Sequence, residues 1–381
     1  MAHPVGHGPG HGPESRRSPA EGGHPHAAHG HAGHGGAGKP KLRLVAWEIT
    51  AGCNLKCTHC RMRDVFIPTS QELSHDEAMK LVDEIAVYAP VVLIVSGGEP
   101  LLRPDIHDII VAAAGKNIHV ALATNGTLLD LATVKKIKEE GVQRVSLSMD
   151  GASDAVHDTR RGLAGARISL MKAVDNLNAG GLPFQINTTV TTSNVDELKT
   201  ILDMVPKMGA VAHHIFMFVP TGHGVKIAHE SLSKERYEEV LKMLAAYQET
   251  SPIEIQVTCG PTYQRVLVET GHQRKGGGCL AGTGFVFVSS DGGVYPCGYL
   301  PVEAGSVRKN TFGEVYEDSP VFKKLRDRTQ LTGNCGTCNF KNVCGGCRAR
   351  AYSQKGDFMA GEPCCMVMEK PDQASPITAG V

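Results

Sequence analysis

A repeating alternation of short apolar runs and amphipathic segments, between Leu42 and Val219, limits the fold of this chain most strongly. Short apolar runs are typical of buried strands, and the segments between them repeat their apolar residues at helical spacing. The predicted strands are Leu42–Ile49, Val91–Val95, Ile118–Ala123, Val142–Ser148, Phe184–Val190 and Val211–Val219. The predicted helices are Leu73–Tyr88, Pro104–Ala114, Leu129–Glu140, Ile168–Ala179 and Val195–Met208. The alternation predicts six parallel strands joined by right-handed crossovers.

Six such units are too few to close an eight-stranded barrel, so we predict an α/β fold, a (β/α)6 partial barrel over residues 41–230. Ligands of such parallel folds bind at the C-terminal ends of the strands. We expect residues 231–275 to be a helical linker with a helix at Leu232–Tyr247. A short hairpin is predicted around the turn Asp291-Gly292-Gly293. Residues 276–370 are predicted to form a small Cys-rich domain organised by metal, and residues 371–381 a flexible tail.

The first 40 residues are rich in Gly, Pro, Ala and His and have almost no large apolar side chains, so we expect a disordered tail. Its histidines are His3, His7, His11, His24, His26, His29, His31 and His34. A loose metal-binding segment and a functionally silent extension are both compatible with this composition. The silent extension is the favoured interpretation.

The balance of charge excludes some partners. The chain has 39 basic and 39 acidic side chains in 381 residues, so no overall field directs it to nucleic acid or to a membrane surface. It has neither a long apolar run nor an apolar leader at its N-terminus, so we expect a cytoplasmic protein without a membrane span. We then expect the 12 cysteines to be reduced and to bind metal rather than form disulfides.

Cys53, Cys57 and Cys60 form a C-x3-C-x2-C pattern directly after the first predicted strand. Three such thiolates can anchor a cubane [4Fe–4S] cluster and leave its fourth iron without a protein ligand. That iron can bind the amino and carboxylate groups of an amino acid. A zinc site is an alternative, but structural zinc normally takes four ligands with paired spacing, and His59 would be an awkward fourth. Three reduced bystander thiols would normally be scattered and buried, so the spacing favours the cluster.

With this pattern after a first strand, the chain resembles the radical S-adenosylmethionine (SAM) superfamily from about Leu42 to Met368. The resemblance implies that SAM binds the open iron and is cleaved to start radical chemistry. His59 stands where the superfamily usually has an aromatic residue. The implied SAM pocket comprises Gly97, Gly98 and Glu99 at the methionine amino group, Ser148 and Asp150 near the ribose, Arg161 at the methionine carboxylate, and Asn187 and Thr189 as weaker candidates. Each of these residues alone would also suit an ordinary turn or strand end.

A second set of cysteines lies in the C-terminal part: Cys279, Cys297, Cys335, Cys338, Cys344, Cys347, Cys364 and Cys365. Such spacings can hold zinc or iron–sulfur clusters. After a radical SAM domain, the order resembles the SPASM extension, which carries auxiliary [4Fe–4S] clusters. The resemblance implies an inner cluster on Cys279, Cys297 and Cys347. It implies an outer cluster on Cys335, Cys338, Cys344 and either Cys364 or Cys365.

The resemblance to SPASM is incomplete at the inner cluster. The cysteine expected a few residues after Cys279 is absent, and the spacing from Cys344 to Cys347 is one residue shorter than usual. A non-cysteine ligand, an open iron and a single auxiliary cluster are all compatible with this departure. Cys259 is left over, and we interpret it as a buried thiol rather than a ligand.

Other segments resemble a narrower family: Val45-Ala46-Trp47-Glu48-Ile49-Thr50, residues 184–191, Ala212-His213-His214-Ile215-Phe216 and residues 344–352. They resemble the heme b synthases of the siroheme-dependent pathway, related to the heme d1 and didecarboxysiroheme maturases. This implies oxidative decarboxylation of two propionates of Fe-coproporphyrin III to vinyl groups, with an auxiliary cluster as electron acceptor. The implied partners are a tetrapyrrole and a reducing donor such as flavodoxin or ferredoxin.

An anionic porphyrin needs cationic recognition, and the candidates are His213, His214, Arg348 and Arg350. Ordinary packing and helix-surface ion pairs are the alternative for these four side chains, and a slightly favoured one. A SPASM maturase of peptides would share the cysteine motifs, but it usually adds an N-terminal recognition module that residues 1–40 do not resemble. An iron–sulfur electron carrier would need no SAM pocket.

Overall fold

The computed structural model describes residues 41–62, 69–274 and 277–367, so the predicted tails at 1–40 and 371–381 lie outside the described residues. The strands are β1 (Leu44–Glu48), β2 (Val92–Ser96), β3 (His119–Ala123), β4 (Val142–Ser148), β5 (Phe184–Val190), β6 (Ala212–Met217), β7 (Glu254–Thr258), β8 (Phe285–Val288), β9 (Gly293–Tyr295) and β10 (Gly305–Ser306). The helices are α1 (His75–Ala86), α2 (Ile106–Ala114), α3 (Leu131–Glu139), α4 (Asp154–Arg161), α5 (Ala166–Gly180), α6 (Leu198–Met204), α7 (Lys234–Thr250), α8 (Tyr263–Glu269), α9 (Phe312–Asp318), α10 (Pro320–Arg326), α11 (Gly333–Thr337) and α12 (Arg348–Lys355).

The strands form a single sheet in the order β10-β9-β8-β1-β2-β3-β4-β5-β6-β7. Neighbouring strands from β1 to β6 are parallel, so the predicted (β/α)6 core is confirmed. Each of the six predicted strands lies within two residues of its predicted ends. The carboxyl ends of these strands therefore lie at one edge of the sheet, where the predicted motifs also fall.

The sheet extends further than the sequence predicted. Residues 231–275 are not a purely helical linker, because they contain β7, which pairs in parallel with β6. This strand has only two apolar residues, Ile255 and Val257, so its pattern cannot be told from an extended connection. The predicted hairpin forms as β8 and β9, but β8 also pairs in parallel with β1. The Cys-rich segment is thus joined to the barrel through the sheet.

Alternation along the strands divides the sheet into two faces. One face carries the apolar core under the helices, with Val45 and Trp47 of β1 fully buried. The other face carries half-exposed side chains such as Ser148 and Asn187. Side-chain caps fix several helix starts, including Ser74 in a capping box with Glu77. Within the described residues, no helix has the length and apolarity to cross a membrane.

Candidate functional site

The loop after β1 carries Cys53, Cys57 and Cys60 at the carboxyl edge of the sheet. Cys53 is exposed, and the other two thiols are half-buried. The Leu55 amide donates to Cys53 Sγ at 3.4 Å, and Arg161 Nη1 donates to Cys57 Sγ at 3.6 Å. Donors aimed at sulfur stabilise thiolates, so the loop suits three cysteines that bind a cluster.

Gly97 and Gly98 pack against the start of this loop. A Cβ on Gly97 would lie 2.7 Å from the Thr50 carbonyl oxygen, and one on Gly98 would lie 2.2 Å from the Gly52 carbonyl oxygen. The Gly98 amide donates to the Thr50 carbonyl oxygen at 2.8 Å. The two glycines thus allow the end of β2 to pack closely against the cysteine loop, whereas their contact with SAM stays a prediction.

Glu99 is fully buried, and its carboxylate is used inside the protein. Its oxygens accept hydrogen bonds from Thr124 Oγ1 at 2.7 Å, from the Asn125 amide at 2.8 Å and from the Leu101 amide at 3.2 Å. The predicted contact of Glu99 with the methionine amino group stays a prediction. Glu99 ties the end of β2 to the end of β3.

Asp150 follows β4 and organises a buried charge network. Its Oδ2 lies 2.8 Å from Arg161 Nη2 and 3.3 Å from His59 Nε2, and its Oδ1 accepts from the Thr189 amide at 2.8 Å. Burial by itself raises the pKa of this carboxyl, but the charges of Arg161 and His59 outweigh it and hold the pKa well below its usual value. Burial lowers the pKa of His59, so Arg161 is the permanent cation of the network.

This network bears on two predicted roles. Asp150 is only 1% exposed, with Oδ1 accepting from the Thr189 amide and Oδ2 facing Arg161 and His59, so its carboxylate supports the wall of the pocket, and its place near a ribose stays a prediction. Arg161 holds Asp150 and Cys57 together, and its pairing with a methionine carboxylate stays a prediction. His59 takes a place in the network instead of providing the usual aromatic ring.

A row of polar side chains crosses the face of the sheet opposite the helices. Ser148, Asn187, His214 and Gln256 are register neighbours on β4, β5, β6 and β7. Gln185 Nε2 lies 3.0 Å from Asn187 Oδ1 and 3.1 Å from His214 Nδ1. Burial lowers the pKa of His214 to about 4, so this histidine is neutral near pH 7 and offers hydrogen bonds rather than charge.

The other three candidates for cationic recognition face the protein interior. His213 is fully buried on the helix side of β6 and meets Thr188 Oγ1 at 2.8 Å. Arg348 donates to the carbonyl oxygens of Phe358 and Ala360 and to Cys335 Sγ. Arg350 donates to the carbonyl oxygens of Met217, Phe218 and Cys259 and pairs with Glu362. His213 thus packs within the barrel, and the two arginines serve the packing of the Cys-rich segment, in agreement with the favoured alternative. Contact of these three side chains with a substrate stays a prediction.

The outer cysteines form one group. Cys335, Cys338, Cys344 and Cys365 line a common pocket, with Gly345 and Gly346 at its wall. Backbone amides of Glu362, Phe340 and Gly346 donate to the sulfurs of Cys335, Cys338 and Cys344 at 3.2, 3.3 and 3.4 Å. Cys364 lies instead among apolar side chains beside α7. Of the two adjacent cysteines, Cys365 is therefore the one placed to complete the outer set.

The inner cysteines Cys279, Cys297 and Cys347 belong to one packed cluster of side chains, which Cys259 joins. The Tyr299 amide donates to Cys297 Sγ at 3.5 Å, and Glu362 Oε2 accepts from the Cys347 amide at 2.6 Å. Cys259, interpreted from the sequence as a buried thiol rather than a ligand, packs in the same cluster of side chains as these three cysteines.

Two residues that the sequence did not suggest lie between the cysteine loop and the inner set. Arg61 packs 4.4 Å from the ring centroid of Phe287, and its Nη1 lies 3.1 Å from Glu48 Oε2. Burial raises the pKa of Tyr299, and the charges of Cys60, Cys259 and Cys297 all act on its hydroxyl. The only sequence signal for either was adjacency, because Arg61 follows Cys60 directly and Tyr299 follows Cys297 by two residues.

The cysteine sets fit iron–sulfur clusters better than single ions. Within residues 41–62, 69–274 and 277–367, no three His, Cys, Asp or Glu side chains converge as they would around one metal ion. A cubane carries each thiolate on a different iron, so its ligands stand further apart than those of zinc. Donors aimed at the sulfurs of both domains fit the same group.

Comparison with known proteins agrees with this geometry. The model of the radical SAM superfamily matches residues 47–205, and that of the SPASM iron–sulfur cluster-binding domain matches residues 279–339. An AdoMet-dependent heme synthase of Methanosarcina barkeri is 44% identical over 337 residues, which cover 85% of this chain and 96% of the relative. The chain belongs to the radical SAM superfamily. Its cofactors are accordingly [4Fe–4S] clusters and SAM.

Further similarity supports the family and the fold. An AdoMet-dependent heme synthase of Nitratidesulfovibrio vulgaris is 39% identical over 352 residues, covering 89% of this chain and 95% of the relative. Among solved structures, Streptococcus suis SuiB bound to S-adenosylmethionine superposes with a TM-score of 0.69 at 15% identity, covering 86% of this chain and 78% of that chain. The latter likeness concerns the fold alone.

Proposed function

We propose that this radical SAM enzyme is a heme synthase that oxidatively decarboxylates two propionate side chains of Fe-coproporphyrin III to vinyl groups. The observation that carries the proposal is the 44% identity to an AdoMet-dependent heme synthase over 96% of that relative. A match of this extent spans most of both chains.

The chemistry of each propionate balances with one electron in and one out. Cys53, Cys57 and Cys60 would hold the cluster, which would supply the one electron needed to cleave SAM to methionine and a 5′-deoxyadenosyl radical. This radical removes a hydrogen atom from the propionate β-carbon and becomes 5′-deoxyadenosine. The substrate radical then loses carbon dioxide and one electron, and the vinyl group remains. The reaction thus requires an electron acceptor near the substrate.

The residues around the sheet edge suit these tasks. Asp150 fixes Arg161 against Cys57, so the cysteine loop is held in position relative to the end of β4. The face that carries Asn187 and His214 also carries Phe216, whose ring centroid lies 6.4 Å from that of Tyr299. Aromatic faces and neutral hydrogen-bonding groups can contact a flat macrocycle. We assign this surface, between the cysteine loop and the inner cysteines, to the substrate.

An anaerobic turnover assay tests the proposal. Reconstituted enzyme with SAM and a reductant is given Fe-coproporphyrin III, metal-free coproporphyrin III, didecarboxysiroheme or a precursor peptide in separate reactions. We expect protoheme only from Fe-coproporphyrin III, with one 5′-deoxyadenosine and one carbon dioxide per vinyl group. A Cys53→Ala/Cys57→Ala/Cys60→Ala variant should form no 5′-deoxyadenosine. Product formation from another substrate, without protoheme from Fe-coproporphyrin III, would refute this assignment.

A further inference from the structure

Cys259 occupies an unusual position at the end of β7. Its φ is +55°, in the left-handed region, where Asn117 is the only other non-glycine residue with positive φ in the described parts of the chain. Asparagine tolerates that region better than cysteine does. A glycine would adopt this backbone without strain, so the conformation indicates that a thiol is needed at this point.

The thiol of Cys259 is directed into the inner cysteine group. It lies beside the thiol of Cys347 and near that of Cys297. Cys279 and Cys297 pack in the same cluster of side chains as Cys259 and Cys347. The four cysteines come from four separate parts of the chain: the end of β7, the segment before β8, the segment after β9 and the start of α12.

The backbone of Cys259 is fixed from the Cys-rich domain. Arg350 Nη2 donates to the Cys259 carbonyl oxygen at 3.0 Å and to the Phe218 carbonyl oxygen at 3.1 Å. Arg350 also pairs with Glu362, which accepts from the Cys347 amide. One buried arginine thus fixes the positions of the loops that carry Cys259 and Cys347 relative to each other.

The segment after Cys279 supplies no competing ligand. It continues through Leu280 and Ala281 into β8, which pairs with β1 from Phe285 onwards. The cysteine that a SPASM domain usually has in this segment is therefore replaced by residues that join the sheet. A fourth cysteine ligand of the inner cluster would therefore have to come from a different segment of the chain.

We infer that Cys259, Cys279, Cys297 and Cys347 together ligate the inner auxiliary [4Fe–4S] cluster, with Cys259 as its fourth thiolate ligand. Unlike the cluster on Cys53, Cys57 and Cys60, the inner cluster then has a cysteine for every iron and none open to a substrate carboxylate. This ligand set does not depend on which substrate the enzyme uses, so it can fail or hold independently of the proposed function.

The test uses the full chain with Cys53, Cys57 and Cys60 replaced by Ala, so that only auxiliary clusters remain. Cys259→Ala is compared in that background with Cys364→Ala, which removes another buried thiol that lies among apolar side chains. Both proteins are reconstituted anaerobically, and iron, acid-labile sulfide and the electron paramagnetic resonance (EPR) spectrum after reduction are measured. The parent and the Cys364→Ala variant should each hold about eight irons in two [4Fe–4S] clusters, with the same spectrum.

Cys259→Ala should either lose about four irons or keep them with a changed inner-cluster spectrum, since one iron loses its thiolate. If it loses the iron of both clusters, Cys259→Ser decides the matter, because the smaller hydroxyl preserves the packing but not the sulfur ligand. A changed inner-cluster spectrum in the Ser variant supports the inference. Parent iron content together with the parent spectrum in the Ser variant would overturn it.

Discussion

The buried pair of Arg350 and Glu362 provides a stability prediction that can be worked from the structure. The two side chains are 2% and 0% exposed, with Nη1 and Oε1 3.3 Å apart. Arg350→Met removes this charge and the nitrogen Nη2, which donates to three main-chain carbonyl oxygens. Removing one partner of a buried pair costs about 3–5 kcal/mol, because the other charge stays buried without compensation. We therefore expect Arg350→Met to lower the free energy of unfolding by about 4 kcal/mol.

At about 2 °C per kcal/mol for a large domain, this loss lowers the melting temperature by about 8 °C. The control is Arg236→Met, whose side chain is 44% exposed and pairs with Asp196 and Glu239 at 3.0 Å. Exposed pairs are worth about 0–1 kcal/mol, so the control should melt within about 2 °C of the parent. Both are measured by far-ultraviolet circular dichroism on cluster-loaded protein under anaerobic conditions at one scan rate. Equal shifts in the two variants would refute the assignment of Arg350 to structure.

Two further predictions concern the cysteine loop and the outer cysteines. Gly98→Ala places a Cβ 2.2 Å from the Gly52 carbonyl oxygen, so this variant should bind SAM at least about tenfold more weakly when affinity is measured by calorimetry. The control is Gly277→Ala, whose Cβ would lie 3.9 Å from its nearest neighbour and should leave the affinity for SAM unchanged. Equal affinities would contradict the packing argument. Cys365→Ala should lose about four irons per chain while Cys364→Ala loses none, and the reverse order would show that the outer ligand was chosen wrongly.

Local patterns in the sequence predicted those structural features that are determined by residues close together along the chain. The strands of the barrel and the loop with Cys53, Cys57 and Cys60 follow from periodicity and spacing, and the structure places them as predicted. Contacts between distant segments could not be predicted in this way. Cys259 joins Cys347 through the fold, and the adjacent Cys364 and Cys365 point to different surroundings.

The burial of side chains was the other property that could not be predicted from the sequence. Arg350 looked like an exposed cation because a helix of polar residues usually lies at the surface, yet its side chain is almost fully buried. A sequence does not reveal which polar helix is covered by another domain. The short strand β7 escaped prediction for a related reason, since its pairing with β6 and not its composition makes it a strand.

Isotope transfer tests the central claim, radical decarboxylation of a propionate, most directly. The measurement uses Fe-coproporphyrin III with deuterium at the propionate β-carbons, incubated anaerobically with reconstituted enzyme, SAM and a reductant. Mass spectrometry of the nucleoside should show one deuterium in each 5′-deoxyadenosine formed, and protoheme should accumulate with it. Unlabelled 5′-deoxyadenosine alongside protoheme would contradict hydrogen abstraction from these carbons and with it the proposed reaction.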